Sequence, residues 1–179
     1  MKFMIYSKLF LFLEGNDDET FFNQILCDKL KGLYTEVIIW KYAQKTDNQR
    51  KRFINAVNEN KNWDYLCFRD YNSAKCMTEK KKKISDKFNT IILEKVFIIV
   101  LEIESWYIAG VDNDFLRSLG AETIDTNSNY ITKENFNNLI PNTMPRDIFL
   151  SKILENFNIE LAITNNKSFA YFMKKVLNC

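Results

Sequence analysis

Short apolar blocks alternate with amphipathic blocks through the first 120 residues, and this alternation constrains the fold more than any other feature of the sequence. The apolar blocks are rich in β-branched and aromatic residues, as strands are, and lie at 9–13, 36–42, 65–68 and 96–101. The blocks between them repeat apolar residues at helical spacing. Strands that alternate with helices indicate βαβ units. The sequence therefore predicts an α/β fold with a mostly parallel, four-stranded central sheet and helices on both faces.

Four helices are predicted, one after each strand. They begin near Asp17, Asp47, Ala74 and Ser105. Either Asp17 or Asp18 is suited to cap the first helix and Asp47 the second, because a carboxylate accepts hydrogen bonds from the free N–H groups of the first turn. Gly120 is expected to end the last of the four.

The remaining residues predict a helical extension of the same domain. A chain of 179 residues is long enough to bury roughly 70% of its unfolded surface in one core. We therefore expect a single domain over 1–179, with 1–120 as the sheet core and 121–145 as a polar excursion or lid that contains a short helix near 133–139. Residues 146–179 are expected to pack on the core as two amphipathic helices, at 147–157 and 168–177.

The histidine and cysteine content limits the chemistry that the chain can carry. It has no histidine, and Cys27, Cys67, Cys76 and Cys179 form no CxxC pair. A zinc site and a histidine-dependent triad are therefore close to excluded. Carboxylates must then hold any metal, which points to Mg²⁺ or Mn²⁺.

The amino-terminal apolar block and the charge balance bear on location and partners. Residues 9–13 are too few to span a bilayer, and they lead into Glu14 and Gly15 rather than a cleavage site. We expect no membrane association and a cytoplasmic protein, in which free thiols are usual. The net charge of +2 neither demands nor excludes nucleic acid as a partner.

Acidic residues follow three of the predicted strands. Glu14 follows the first strand, Asp70 the third, and Glu102 and Glu104 the fourth. Parallel strands end at one edge of a sheet, where open α/β sheets bind ligands, so these carboxylates are expected to converge there. If the fourth strand continues far enough, Glu102 and Glu104 share one of its faces. Clustered carboxylates repel one another unless they share a cation or a proton; the alternative is that each acid caps a helix or faces water.

Several short motifs resemble a known family. The sequences LFLFLEG at 9–15 and FRDYN at 68–72 resemble the TOPRIM domain of topoisomerases, primases and related nucleases. EGNDDETFF at 14–22, LEIESW at 101–106 and NKSF at 166–169 are similar to small stand-alone TOPRIM-like proteins of bacteria and archaea. Those proteins are relatives of the nuclease domain in the overcoming-lysogenization-defect family.

The resemblance implies a Mg²⁺-dependent or Mn²⁺-dependent phosphoryl-transfer site. It assigns Glu14 as general acid or base and Asp70 as metal ligand. The family pattern after the third strand is Asp-x-Asp, and here Asn72 replaces the second acid with a neutral, weaker ligand. The candidate metal ligands are therefore Glu14, Asp70 and Asn72, with Glu104 as third carboxylate and Glu102 behind it.

Basic residues near these positions are candidates for binding phosphate. Arg69 stands beside Asp70 and is either a phosphate clamp or a salt-bridged structural residue. Arg50 and Arg52 lie at the start of the second predicted helix, where a helix amino terminus also receives phosphate. Four consecutive lysines at 80–83 wrap a helix rather than form a stripe, so we interpret them as a solvated face.

Two functions follow from these features. The first is a metal-dependent nuclease acting on DNA or RNA, in phage defence or nucleic-acid processing as the resemblance suggests, with a larger partner protein to supply binding surface. The second is a non-catalytic TOPRIM-like module that binds nucleic acid or a partner protein. A nucleotide-processing phosphotransferase ranks last, because the chain contains neither GxxxxGK[ST] nor GxGxxG.

Overall fold

The computed structural model describes residues 7–71, 77–88, 90–124 and 127–178, and at residues 77 and 85–87 it describes the backbone only. The chain divides into two compact units, Met1–Ile98 and Ile99–Cys179. The prediction that the whole chain is one domain stays a prediction.

The first unit is built on a parallel four-stranded sheet, as predicted. Its strands lie in the order β2-β1-β3-β4, so β1 pairs with both β2 and β3. In the register, Phe12 of β1 stands opposite Trp40 of β2 and Cys67 of β3. The strands are β1 (Lys8–Leu13), β2 (Glu36–Lys41), β3 (Trp63–Asp70) and β4 (Val96–Ile99).

Helices follow the strands of the first unit. A helical run after β1 contains a π-helical turn, Phe22–Leu26, and ends before Gly32. A short 3₁₀ turn, Tyr42–Gln44, follows β2 and precedes a helix capped by the Thr46 side chain. The α-helices of this unit are α1 (Asn16–Phe21), α2 (Cys27–Lys31), α3 (Asp47–Glu59) and α4 (Met77–Phe88).

Apolar side chains cover both faces of the sheet, because successive residues of a strand point to opposite sides. On one face Phe12 and Tyr65 pack with Ile54 of α3 and Phe88 of α4. The other face is lined by a row of rings, in which Phe68 lies 4.5 Å from Phe22 and 5.4 Å from Phe97 between ring centroids. The predicted placement of helices on both faces is thereby confirmed.

The second unit is helical and centres on α5, whose six residues are all buried. Trp106 of α5 lies 5.1 Å from Phe169 and 5.8 Å from Phe172 between ring centroids. A 3₁₀ turn, Ser128–Tyr130, and α7 lie in the segment predicted as an excursion, and α7 coincides with the short helix expected there. The α-helices are α5 (Glu104–Ala109), α6 (Asn113–Ser118), α7 (Lys133–Leu139), α8 (Arg146–Glu155), α9 (Ile159–Asn165) and α10 (Lys167–Phe172).

Two helix predictions in the second unit are wrong. The helix expected from Ser105 to Leu119 is broken at Gly110, where an added Cβ would lie 2.4 Å from the Phe157 ring. Asp112 then caps α6 by accepting a hydrogen bond from the Phe115 N–H at 2.8 Å. The last segment holds three α-helices rather than two, since α9 forms between the two that the apolar pattern predicted.

The fourth strand is shorter than predicted. β4 ends at Ile99, and Leu101 adopts a φ of 61°, in the left-handed region that a leucine rarely enters. The turn is held by buried side chains: the Ser105 hydroxyl donates to the Val100 carbonyl at 3.0 Å, and the Val100 N–H donates to Ser168 Oγ at 3.2 Å. The condition under which Glu102 and Glu104 would share one face of a strand, that the strand continues as far as these residues, is therefore not met.

None of the helices that the structure describes is long and apolar enough to cross a membrane.

Candidate functional site

Glu14 lies directly after β1, at the carboxyl edge of the sheet, and one of its oxygens is held from two sides. Its Oε1 atom accepts a hydrogen bond from the Tyr42 hydroxyl at 2.8 Å and lies 2.9 Å from Nε of Arg69. Continuing the register of Phe12 opposite Cys67 by two residues brings Glu14 beside Arg69, which explains the ion pair. The parallel pairing of β1 and β3 thus positions the carboxylate.

Tyr42 is a site residue that the sequence did not single out. It begins the 3₁₀ turn after β2, is 2% exposed, and its hydroxyl also lies 3.2 Å from the Phe68 carbonyl oxygen. Burial raises the pKa of Tyr42 well above its usual value, and the nearby Cys67 and Glu14 raise it further. The hydroxyl therefore keeps its proton and acts as a donor to Glu14.

Arg50 holds the turn that presents Tyr42. Its Nε donates to the Tyr42 carbonyl at 2.8 Å, its Nη2 to the Ala43 carbonyl at 3.4 Å, and its Nη1 pairs with Asp47 at 2.9 Å. These contacts give Arg50 a positioning role, whereas Arg52 is exposed on α3. Phosphate binding by either arginine stays a prediction.

Arg69 lies near the end of β3 and is salt-bridged, one of the two alternatives that the sequence left open. Its guanidinium carbon lies 5.2 Å from the centroid of the Tyr42 ring, which adds a cation–π contact to the ion pair with Glu14. Burial acts to lower the pKa of Arg69, but Tyr42, Glu14 and Cys67 together raise it. The guanidinium therefore remains charged beside the carboxylate.

Asp70 is the last residue of β3 and is partly buried. The negative charges of Asp70 and Glu14 both act to raise the pKa of Lys80 in α4. The structure thus brings Glu14 and Asp70 to the ends of neighbouring parallel strands, as predicted. Asn72 lies outside the described residues.

Lys80 is the second site residue that sequence reasoning missed. It is 9% exposed, because it shares one face of α4 with the buried Ile84 and Phe88, four and eight residues further on. Lys82 and Lys83 are exposed, so the solvated-face interpretation of the lysine run is right for those two and wrong for Lys80. The apolar residues at helical spacing from Lys80 were the sequence signal that Lys80, unlike the neighbouring lysines, is buried.

The electrostatic setting of Lys80 is unusual for a lysine. Burial lowers its pKa, and the nearby Arg69 lowers it further, while Glu14 and Asp70 act in the opposite direction. Cys67 of β3 is 1% exposed, and this burial raises the pKa of its thiol to about 12. The Cys67 thiol therefore stays protonated and supplies neither a nucleophile nor a metal ligand.

Glu102 and Glu104 belong to the second unit, where each has cationic or N–H partners. Glu104 opens α5 and is 2% exposed, and its Oε1 lies 3.1 Å from Arg146 Nη2 and 3.3 Å from Lys133 Nζ. Glu102 accepts a hydrogen bond from the backbone N–H of Lys133, at the first turn of α7. Glu102 is thus a helix cap, the alternative that the sequence left open, and Glu104 joins α5 to α7 and α8.

The carboxylates of the first unit fit a metal that takes few protein ligands. Among the residues that the structure describes, no group of three or more His, Cys, Asp or Glu side chains is arranged to hold a metal ion. Mg²⁺, however, keeps several waters and commonly binds one or two carboxylates together with substrate phosphates. Asp70 and Glu14 are two carboxylates, which is the number and type of protein ligand that such a site needs.

Comparison of the chain with protein-family models, curated proteins and solved structures found no match. The resemblance to TOPRIM proteins therefore stays a prediction that depends on the short motifs.

Proposed function

We propose that the chain is a divalent-metal-dependent nuclease, which hydrolyses phosphodiester bonds of DNA or RNA at the carboxyl edge of β1 and β3. The observation that carries the proposal is the placement of Glu14 and Asp70 at the ends of adjacent parallel strands. Ligands of open α/β sheets bind at that edge. Arg69 and Lys80 add positive charge there, which suits an anionic substrate.

Asp70 is the residue proposed to hold Mg²⁺ or Mn²⁺, with Glu14 as the second carboxylate. When bound, such an ion neutralises charge on the transferring phosphoryl group and lowers the pKa of a water molecule. Asn72 is the remaining candidate ligand after β3. The carboxylates of Glu102 and Glu104 have partners within their own unit, so we do not require them as ligands.

Glu14 is proposed to transfer the proton in this reaction. Tyr42 and Arg69 both contact its Oε1 atom, so this oxygen is fixed in place. Within the part of the chain that the structure describes, Oε2 has no hydrogen bond, and it is the oxygen suited to accept or deliver a proton. A general acid or base held in this way contributes about 10²–10⁴-fold to a rate.

A second function is a TOPRIM-like module that binds nucleic acid or a partner protein without cleaving it. Two observations favour it: the Glu14 charge is already balanced by Arg69, and the described residues contain no three-ligand metal group. Either function is proposed for a cytoplasmic protein in phage defence or nucleic-acid processing. Because the net charge is only +2, long-range attraction to nucleic acid is weak, and a larger partner would supply further binding surface.

Cleavage of labelled single-stranded and double-stranded DNA and RNA with Mg²⁺ or Mn²⁺ separates the two functions. We expect cleavage by the wild type and a loss of at least about 100-fold in Glu14→Gln and in Asp70→Asn, each of which keeps the size of the side chain. Circular dichroism and thermal unfolding show whether both variants are folded. Binding without product favours the non-catalytic module, and cleavage that survives in both folded variants excludes the proposed site.

A further inference from the structure

The exposed residues of the last helical run in the second unit are all lysine or tyrosine. This run comprises α10 and a π-helical turn, Met173–Leu177, that continues it. On its buried side, Phe169 and Phe172 pack against Trp106. Spacings of three and four residues place its exposed residues together on the opposite side. We call them the lysine–tyrosine face; they are Lys167, Tyr171, Lys174 and Lys175.

The charge of the lysine–tyrosine face is of one sign. Within the described residues, none of its three ammonium groups makes an ion pair or a hydrogen bond, and residues 161–179 contain no aspartate or glutamate. A solvated helix surface commonly carries both signs, as α8 does with its exposed Asp147, Lys152 and Glu155. The lysine–tyrosine face is therefore suited to an anionic partner.

The helix dipole accounts for only part of this charge. Lys174 and Lys175 lie near the carboxyl end of the run, where a cation is favourable. Lys167 is the first residue of α10, at the amino end, where a cation is unfavourable. The dipole therefore does not explain why Lys167 is a lysine.

Two exposed tyrosine rings accompany these lysines. Tyr171, one helical turn from Lys167, is 53% exposed, and Tyr130 is 71% exposed. Tyr130 follows Asn129, whose Oδ1 accepts a hydrogen bond from the Lys167 N–H at 2.9 Å. This bond brings Tyr130 to the start of α10. Single-stranded nucleic acid binds surfaces that combine cations with aromatic rings, because its phosphates meet the cations and its bases stack on the rings.

We propose that the lysine–tyrosine face, together with Tyr130, binds a single strand of DNA or RNA. The inference rests on the proposed function, to whose site in the first unit it adds a binding surface in the second. A duplex fits less well, because its bases are stacked on one another and do not reach the rings. An anionic membrane also fits less well, since the apolar side of this run is buried in the protein.

The test compares two fluorescein-labelled strands of equal length, an oligothymidylate and an abasic strand that has the phosphates but no bases. Binding is measured by fluorescence anisotropy in EDTA, so that no metal contributes. The wild type should bind oligothymidylate at least about fivefold more tightly than the abasic strand. Tyr171→Ala should weaken oligothymidylate binding at least about fivefold and leave abasic binding within about twofold. Tyr171→Phe keeps a ring and should bind both strands as the wild type does.

The lysines are tested through the salt dependence of binding. A lysine that neutralises one phosphate of a single strand contributes about 0.7 to the slope of log affinity against log salt, so Lys167→Gln should lower the slope by about that amount. Lys174→Gln combined with Lys175→Gln should lower it by about twice as much, and for both strands, because both carry phosphates. Lys152→Gln removes one exposed lysine from α8; it is the matched control for Lys167→Gln and should leave the slope unchanged.

Three results would overturn the proposal. They are equal binding of the two strands by the wild type, an equal change of slope in Lys152→Gln and Lys167→Gln, and binding to phosphatidylserine vesicles without binding to oligothymidylate. Thermal unfolding shows that the variants are folded, as is expected because every substituted side chain is exposed.

The outcome can be told apart from that of the proposed function. Binding that depends on Tyr171 and Lys167, without cleavage when Mg²⁺ or Mn²⁺ is added, would support this surface and contradict the nuclease. Cleavage that depends on Glu14 and Asp70, with binding that is unchanged in Tyr171→Ala and Lys167→Gln, would support the nuclease and exclude the surface.

Discussion

The two units each contain a carboxylate among basic side chains, but the two clusters are balanced differently. In the second unit, Glu104 is buried and has both Arg146 and Lys133 within 3.3 Å of one oxygen. In the first unit, Glu14 is 25% exposed and pairs with one cation, Arg69, among the described residues. Removing a buried carboxylate leaves its cations without their partner and destabilises the fold, whereas a partly exposed carboxylate is also accessible to a ligand.

The largest expected effect of this difference is on stability. Glu104→Ala leaves Arg146 and Lys133 without their shared acceptor and should lower the free energy of unfolding by about 2 kcal/mol. The loss is smaller than for a fully buried ion pair, because both cations are partly exposed and can be solvated by water. Chemical denaturation measures the loss. Glu122→Ala, which removes an exposed glutamate of the same unit, serves as control and should change stability by less than about 0.5 kcal/mol.

If Glu104→Ala were as stable as Glu122→Ala, the Glu104 cluster would not be structural. The contrast with the first unit would then fail, and Glu104 would return as a candidate metal ligand.

A smaller effect is expected from Tyr42 at high pH. Its folded-state pKa lies well above the ordinary value, first because of burial, so above pH 10 the unfolded chain loses this proton while the folded chain keeps it. The stability that Tyr42 contributes is thus complete below about pH 10 and falls as the pH rises towards the folded-state pKa.

Tyr42→Phe removes the titrating hydroxyl and should make the alkaline loss of stability less steep. The measurement is the unfolding free energy across the alkaline range in both proteins. Tyr65, whose pKa burial raises to about 12, still contributes in the variant, so the slope decreases without vanishing. An unchanged slope would mean that the Tyr42 hydroxyl is not buried against Glu14.

Much of the first unit could be predicted because its determinants are local in sequence. The apolar blocks of β1, β2 and β3 end where the strands end to within two residues at the carboxyl side, and Glu14 and Asp70 follow from those ends. β4 ends earlier than its apolar pattern predicts, and the turn that follows it is held in part by Ser168, which lies far along the chain from Val100. An apolar pattern carries no record of such partners.

The site residues that were missed depend on packing in three dimensions. Tyr42 reaches Glu14 only because β2 and β1 are neighbours, and strand order is not written in the sequence. Lys80 was placed in a solvated run because its three lysine neighbours dominate the local pattern, although Ile84 and Phe88 mark its face as buried. Likewise, the helix break coincides with Gly110, where the ring of Phe157, from the connection between α8 and α9, comes too close for a Cβ atom.

The most direct test of the account is Mn²⁺ binding by calorimetry, with the wild type compared with Asp70→Asn and Glu104→Gln under conditions in which all three are folded. We expect the wild type and Glu104→Gln to bind the ion alike and Asp70→Asn to lose binding, because the proposed site lies at the end of β3 and the Glu104 cluster is structural. Mn²⁺ binding that persists in Asp70→Asn, or that disappears in Glu104→Gln, would contradict the proposed metal site at the end of β3.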